Sequence, residues 1–472
     1  MEDRHWSVGD MAALWIGMVV CVPTYTLAAG LIEQGMSWWQ AVLTIALGNF
    51  VVLVPMVLNG HPGTQYGVPF PVLARAAFGI HGAHLPSLLR ALVACGWFGI
   101  QTWFGGFSVY QLVDVLTGGA MQGADLPVLG INPGELACFL FFWALQVGIL
   151  WRGLDSIRLL EKYAAPFLIG IGFLLLGWAL YRAGGFGPML STPSAFAEGG
   201  PKEGQFLSVF FPSLTAMVGF WATLSLNIPD FTRYARSQRD QILGQAIGLP
   251  TTMTLFAFIS VAVTSATTVI FGEAVWDPTV LAGKVGGGMT VVISLLALAV
   301  ATLSTNIAAN VVSPANALIN LAPQRIGFRF GATVTALIGL MMMPWKLIES
   351  TGGYIFTWLI GYSALLGPIG GILVADYFIL RRTKLDLDDL YRHEGRYAYT
   401  AGFNPAAIVA LTLAVLPNIP GFLHQAGLLS SVPSVFDQVY AYAWFVGFGI
   451  AAVTYLVLMM VLPHGSLAKE KA

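Results

Sequence analysis

Twelve apolar runs account for most of this 472-residue chain, beginning near Val8, Trp38, Ser87, Pro133, Lys162, Phe206, Leu243, Met289, Phe330, Tyr354, Asn404 and Phe436. About 20 consecutive apolar residues cross the hydrocarbon core of a bilayer as a helix, and a chain made of such runs has few other ways to fold. Only 10% of the residues are charged and 57% are hydrophobic, against about 25% charged in a soluble domain. The expectation is an all-α polytopic membrane protein with about 12 transmembrane helices.

Charge orients the runs. With the N-terminus in the cytoplasm, 17 of the 22 Lys and Arg fall in cytoplasmic connections and termini. Four (Arg182, Lys202, Lys284 and Lys346) fall outside, and Arg90 lies within the third span. A Lys/Arg excess marks the cytoplasmic side, so an even number of spans with both termini cytoplasmic is expected, in the inner or plasma membrane. The formal net charge of −1 leaves no footprint for nucleic acid. Cys21, Cys95 and Cys138 all sit in apolar runs and read as small buried residues, not as a disulfide framework or a zinc site. The first run lacks a small-residue cleavage site and is kept as the first span. The connection from Asn59 to Leu85 reads as a Gly/Pro-rich lead-in followed by a short amphipathic piece on the cytoplasmic surface. Nothing forces an oligomer, so a monomer in the lipid bilayer is expected.

The informative residues are those that break the apolar pattern. Within the run from Met289 to Val312 lies ATLSTNIAAN, residues 301–310. Polar groups at that depth are costly unless partnered, and they usually face a bundle interior or a cavity; bonding between helices is their other use. At 3.6 residues per turn Ala301, Ser304 and Thr305 share one side and Asn306 and Asn310 another. The first offers uncharged oxygens suited to a small hard cation, the second amides suited to a polar organic ligand. In the first span Pro23 predicts an interruption around Val20 to Thr24, which frees backbone carbonyls. In the third, Trp97 and Gln101 lie four apart on one helix face, an indole to stack on a planar ring and a carboxamide to read its edge. Gly219 and Trp221, mid-membrane in the sixth span, predict a second interrupted helix. Paired interruptions in matching positions point to a transporter's central site.

The stretches WIGMVVCVPTYTLAAG, YGVPFPVLARAAFG, WFGIQTWFGG, GFWATLSLNIPDFTRYA, STNIAANVVSPAN and GPIGGILVADYFILRR, with the trailing DLDDLYR, resemble the nucleobase:cation symporter-1 family, in particular its hydantoin, allantoin and uracil permeases. The resemblance covers nearly the whole chain. It implies the leucine-transporter-type fold of two inverted five-helix repeats plus two C-terminal helices. The repeats would occupy residues 1–200 and 201–385, with a cytoplasmic loop and the last two helices in 386–472. It also implies alternating access around a central site. Matched position by position, Trp97 is the tryptophan that stacks on the substrate, Gln101 and Asn310 the amides that hydrogen-bond it, and Trp221 the second tryptophan. The carbonyls of Gly17, Val20 and Ala301 and the hydroxyls of Ser304 and Thr305 match the family's sodium site. Cys21 stands where the hydantoin transporter has a glutamine, and Phe220 where it has a glycine. A bulkier wall and one lost polar contact favour a small ring such as allantoin, uracil or a small hydantoin.

No ionisable group lies at the deepest positions of the core spans, which favours sodium over proton coupling; a proton-coupled symporter of the same substrates is the alternative. A membrane-embedded enzyme would need a nucleophile and base or a metal cluster, and all seven histidines fall in loops or at span ends. A channel would want a continuous polar lining, whereas the polar residues cluster at one depth. The expected activity is therefore import of a small planar heterocycle with sodium as coupling ion, without a cofactor.

Overall fold

A computed structural model describes residues 4–152, 154–285, 288–322 and 324–461; the side chains of residues 154–168, 301, 304, 308 and 312 lie outside the description. The described residues form a helical bundle, with two isolated bridges, Trp6 to Ala235 and Thr400 to Phe403, as the only strand-like pairings among them. By length and composition seven described helices suffice to cross a membrane, or eight when a bent pair is counted as one span. Three shorter apolar helices, Ile169–Ala183, Phe206–Phe220 and Phe328–Met341, join them. Each predicted start falls on or beside a helix. The last differs: Phe436 belongs to a short helix, Ser434–Ala441, and the long apolar helix begins at Ala443.

The first span is two helices. Ser7 caps Val8–Val19 reciprocally with Asp10, satisfying two of the donors that every helix start leaves open. The chain then leaves the helical conformation at Val20 (φ −79°, ψ 84°) and Cys21 (φ −148°, ψ 163°) and resumes as Val22–Glu33, bent by 61°. Pro23 lies in the first turn of the second piece, where its missing N–H costs nothing. The predicted interruption is present, with Pro23 starting the second half and not kinking a continuous helix. The sixth span breaks at Trp221 (φ −99°, ψ 4°), between Phe206–Phe220 and Ala222–Asn227. A third break, at Val311, separates Gly288–Asn310 from Val312–Leu321.

The segment from Asn59 to Leu85 departs from expectation. The helix that starts at Trp38 runs to Tyr66, and the short helix Phe70–Phe78 is buried along most of its length. Its apolar residues form a core cluster with Leu390 and Tyr397. The Arg381 guanidinium adds a tether by donating to the Ala76 carbonyl (2.6 Å) while pairing with Asp376 (2.7 Å), which also accepts from the Tyr455 hydroxyl (2.7 Å). The guanidinium nitrogen that bonds Ala76 also donates to the Tyr399 hydroxyl (2.7 Å), and such added hydrogen bonds are what a buried ion pair needs to offset its desolvation.

Glycines set the spacing around the Trp97 helix, His84–Thr117. A Cβ on Gly99 would meet the Gly339 carbonyl at 2.5 Å, and one on Gly339 would meet the Cys95 carbonyl at 2.7 Å. Small residues admit such close backbone approach between membrane helices. Gly99→Ala is therefore expected to destabilise the protein by about 1–3 kcal/mol, read as a lower midpoint of thermal unfolding in detergent. Gly148→Ala, where a Cβ has nothing within 4 Å, is expected to leave that midpoint unchanged or raise it.

Candidate functional site

The two predicted breaks, the Trp97 helix and the Asn310 helix (Gly288–Asn310) converge on one small cavity. It is lined by Cys21, Trp97, Gln101, Phe220, Trp221 and Asn310, together with Met18, Pro23, Thr223, Leu224, Thr305 and Ala309, and has a volume of about 40 Å³. Six of the seven predicted substrate residues thus meet at one place from four separate parts of the chain. No Asp, Glu, Lys, Arg or His belongs to this lining.

The aromatic residues are arranged edge to face. Trp97 packs against Phe220 (ring centroids 5.3 Å apart, 78° between planes), Tyr354, Trp358 and Tyr362. Phe220 also packs edge-on against Trp221 (5.0 Å, 86°), and Trp221 against Trp15 (5.3 Å, 87°). Such tilted pairs suit the quadrupoles of the rings. The two indoles are consequently not separated by an open slot, because the Phe220 ring stands against both. Trp221 is further held by its Nε1–H, which donates to the Asn49 Oδ1 at 2.9 Å, while the Asn49 amide donates to the Ile45 carbonyl at 2.8 Å.

The amides behave differently from one another. Gln101 is buried, and its Oε1 has no hydrogen-bond partner, a cost that a ligand N–H at that position would remove. Asn310 donates through Nδ2 to the Asn306 Oδ1 at 2.9 Å. Asn306 does not reach the cavity: it is fully buried behind Asn310 and donates to the Phe98 carbonyl (3.0 Å), the Thr102 hydroxyl (3.1 Å) and the Gln146 Oε1 (2.9 Å). The shared helix face of Asn306 and Asn310 is real, but Asn306 lies against the third and fourth spans and not against the opening. Cys21 fills the wall with its thiol 3.2 Å from the Thr24 hydroxyl.

The first break alters the backbone bonding around Gly17 and Val20. The Cys21 N–H turns back onto the Val19 carbonyl (2.9 Å) instead of reaching Gly17, and Val20 lies between the two helical pieces. Both carbonyls are thereby taken out of the regular ladder, as happens to the last carbonyls of any helix. Thr305 lines the same cavity as Cys21. Ala301 and Ser304 belong to the helix that carries Thr305, and their side chains lie outside the described residues. Among the described residues no group of three His, Cys, Asp or Glu comes together in a way that could hold a metal ion.

Two structural partners escaped the sequence reading, Asn49 and Gln146. Each is a single carboxamide inside an apolar run (ALGNFVV and WALQVGI), whereas Asn306 and Asn310 stood out as a pair four apart within a polar cluster. The fourth span looked like scaffold because one polar residue has no periodicity to read.

Comparison with known proteins places this site in a family. Residues 1–447 match the family model described as a permease for cytosine/purines, uracil, thiamine and allantoin. The purine-uracil permease of Arabidopsis thaliana is 50% identical over 97% of this chain and 76% of its own length. The allantoin permease of Bacillus subtilis strain 168 is 42% identical over 99% and 93%. Among solved structures, Mhp1, a nucleobase-cation-symport-1 family transporter in a closed conformation with bromovinylhydantoin bound, superposes with a TM-score of 0.77 at 26% identity, covering 100% of this chain and 96% of that one. The helical, multi-span architecture is that of this transporter. The chain is a polytopic integral membrane permease, not an enzyme, and belongs to the nucleobase:cation symporter-1 family.

Proposed function

We propose that the protein imports a small planar nucleobase-related heterocycle, of the allantoin, hydantoin or uracil kind, together with sodium, by alternating access. The observation that carries this reading is the convergence of both helix breaks, Trp97, Gln101 and Asn310 on a single cavity without an ionised side chain. In the reading, Trp97 stacks on the ring, Gln101 and Asn310 bond its edge, Trp221 supports the opposite side, and Phe220 and Cys21 shape the wall. Asn306, assigned to the substrate from sequence, supports Asn310 from behind. Sodium is held by the carbonyls of Gly17, Val20 and Ala301 and the hydroxyls of Ser304 and Thr305. The two inverted repeats are residues 1–200 and 201–385, with 386–472 peripheral. The protein works as a monomer in the inner or plasma membrane, both termini in the cytoplasm, as the Lys/Arg asymmetry requires.

What supports the substrate class is the chemistry of the lining together with the names of the relatives, a purine-uracil permease and an allantoin permease, and the bromovinylhydantoin bound to Mhp1. What supports sodium is the set of neutral oxygens beside the break and the lack of a carboxylate or imidazole on the cavity, where a proton would need one. A cavity of about 40 Å³ holds a few waters and is far below the roughly 300–1,000 Å³ of ligand pockets. Substrate entry therefore requires the Phe220 ring to leave its position between the indoles.

Uptake into proteoliposomes tests coupling: a sodium gradient should drive it, and strong uptake from a pH gradient alone in sodium-free buffer would replace sodium by protons. Asn310→Ala should weaken binding of the transported ring more than tenfold, since unpaired groups are left in a desolvated site; unchanged affinity removes Asn310 from the site. Thr305→Ala should weaken sodium first and substrate only through coupling, so saturating sodium should restore substrate affinity. Phe220→Ala should raise affinity for 5-benzylhydantoin relative to hydantoin, measured by quenching of tryptophan fluorescence.

A further inference from the structure

The hydrogen bonds behind Asn310 have a direction. The Phe98 carbonyl can only accept, and it accepts from the Thr102 hydroxyl (2.7 Å) and from the Asn306 Nδ2 (3.0 Å). The hydroxyl, having given its proton to Phe98, accepts from the Gln146 Nε2 (2.9 Å). That leaves the Gln146 Oε1 to accept from the Asn306 Nδ2 (2.9 Å). With its amide nitrogen committed, Asn306 has only its Oδ1 to offer, and Asn310 must meet it with Nδ2 (2.9 Å). Reversing any member would set oxygen against oxygen or N–H against N–H. Thr102, Gln146 and Asn306 are all fully buried, so no water is at hand to repair such a mismatch, and in a medium of low dielectric an unmade bond is at its most costly.

We propose that Gln146, on a helix (Pro133–Arg152) that contributes nothing to the cavity lining, fixes the hydrogen-bonding polarity of the site together with the Phe98 carbonyl. Acting through Asn306, it holds Asn310 with the amide nitrogen turned away and the carbonyl oxygen left for the cavity. Gln101 adds a second acceptor, its unpartnered Oε1. The site then selects rings that present N–H groups, such as imides and ureides, over rings of equal size that present a bare nitrogen or an N-methyl group. Gln146 is a positioning residue in this scheme and touches no substrate. The inference rests on the heterocycle reading of the cavity and deepens it.

The test compares uracil with cytosine, and hydantoin and allantoin with their N-methylated counterparts, by tryptophan-fluorescence titration of purified protein in sodium buffer. The wild type should favour the N–H ligand at least tenfold. Gln146→Leu should shrink that preference at least fivefold, because it removes one of the acceptors that hold the Asn306 amide nitrogen and so lowers the cost of reversing Asn306 and Asn310. Gln146→Glu should preserve it, since a buried neutral carboxyl has the same acceptor and donor. Thr102→Val, which removes the acceptor for Gln146 and disturbs the fold least, should act like Gln146→Leu. A preference untouched in Gln146→Leu and Thr102→Val, or equal weakening of both ligands of each pair, overturns the relay alone. Absence of binding by any of these ligands to the wild type would sink the heterocycle reading and the relay with it.

Discussion

Inside hydrocarbon a peptide carbonyl or N–H without a partner costs several kcal/mol, and every distinctive feature of this protein follows from where that rule is relaxed. The helices satisfy the rule by themselves. At Val20–Cys21 and at Trp221 the regular helical ladder is interrupted, and these two places lie on the same cavity. A break deep in the bilayer is tolerated where it faces protein or a polar chamber, so the breaks and the chamber require one another. In the proposed mechanism the carbonyls freed at the first break become cation ligands, which turns a structural debt into a binding site.

The same accounting governs the side chains. Asn306, Gln146 and Thr102 bond each other and the Phe98 carbonyl in a closed set, and Asn310 is the member through which the set meets the cavity. Asn49 does for the Trp221 indole what Asn306 does for Asn310. Cavity-facing groups on this scaffold are therefore oriented from a layer behind them, one that also ties the second, third, fourth, sixth and eighth spans together. A polar group held on one side by such a layer has a single direction left to offer to the cavity.

At Phe220 close packing meets the proposed mechanism, in which its ring must move for substrate to enter. The break at Trp221 places Phe220 on the last helical turn, edge-on to both Trp97 and Trp221. On the other side of the same helix a Cβ on Gly219 would lie 2.0 Å from the Ser363 hydroxyl, so this helix and the Gly353–Leu380 helix approach as closely as backbone allows. Any motion that opens the cavity must carry that contact with it or break it. The short helix piece after the break is tied to its surroundings by Asn227 and Asp230, which bond Arg90 and the Phe70 amide. The piece after the second break is thus joined, through Asp230, to the N-terminus of the buried helix Phe70–Phe78.

Sequence alone determined the helical, polytopic class, the placement of the apolar runs on helices, and the identity of most cavity residues. These rest on local quantities: length of apolar runs, proline and glycine position, and polar residues at forbidden depth. Trp97 and Gln101 could be paired because a four-residue spacing on one helix is legible without a fold, and Thr305 and Asn310 stood out as polar residues deep in an apolar run. Only the tertiary structure decided that Asn306 faces away from the cavity, since which flank of a helix meets ligand and which meets a neighbour depends on the neighbours. It alone buried Phe70–Phe78, whose partners Leu390 and Tyr397 lie some three hundred residues later, and it alone placed Phe220 between two indoles. Gln146 shows the limit most plainly: a single amide in an apolar helix has no pattern to read, and its meaning lies in bonds to residues 44 and 160 positions away.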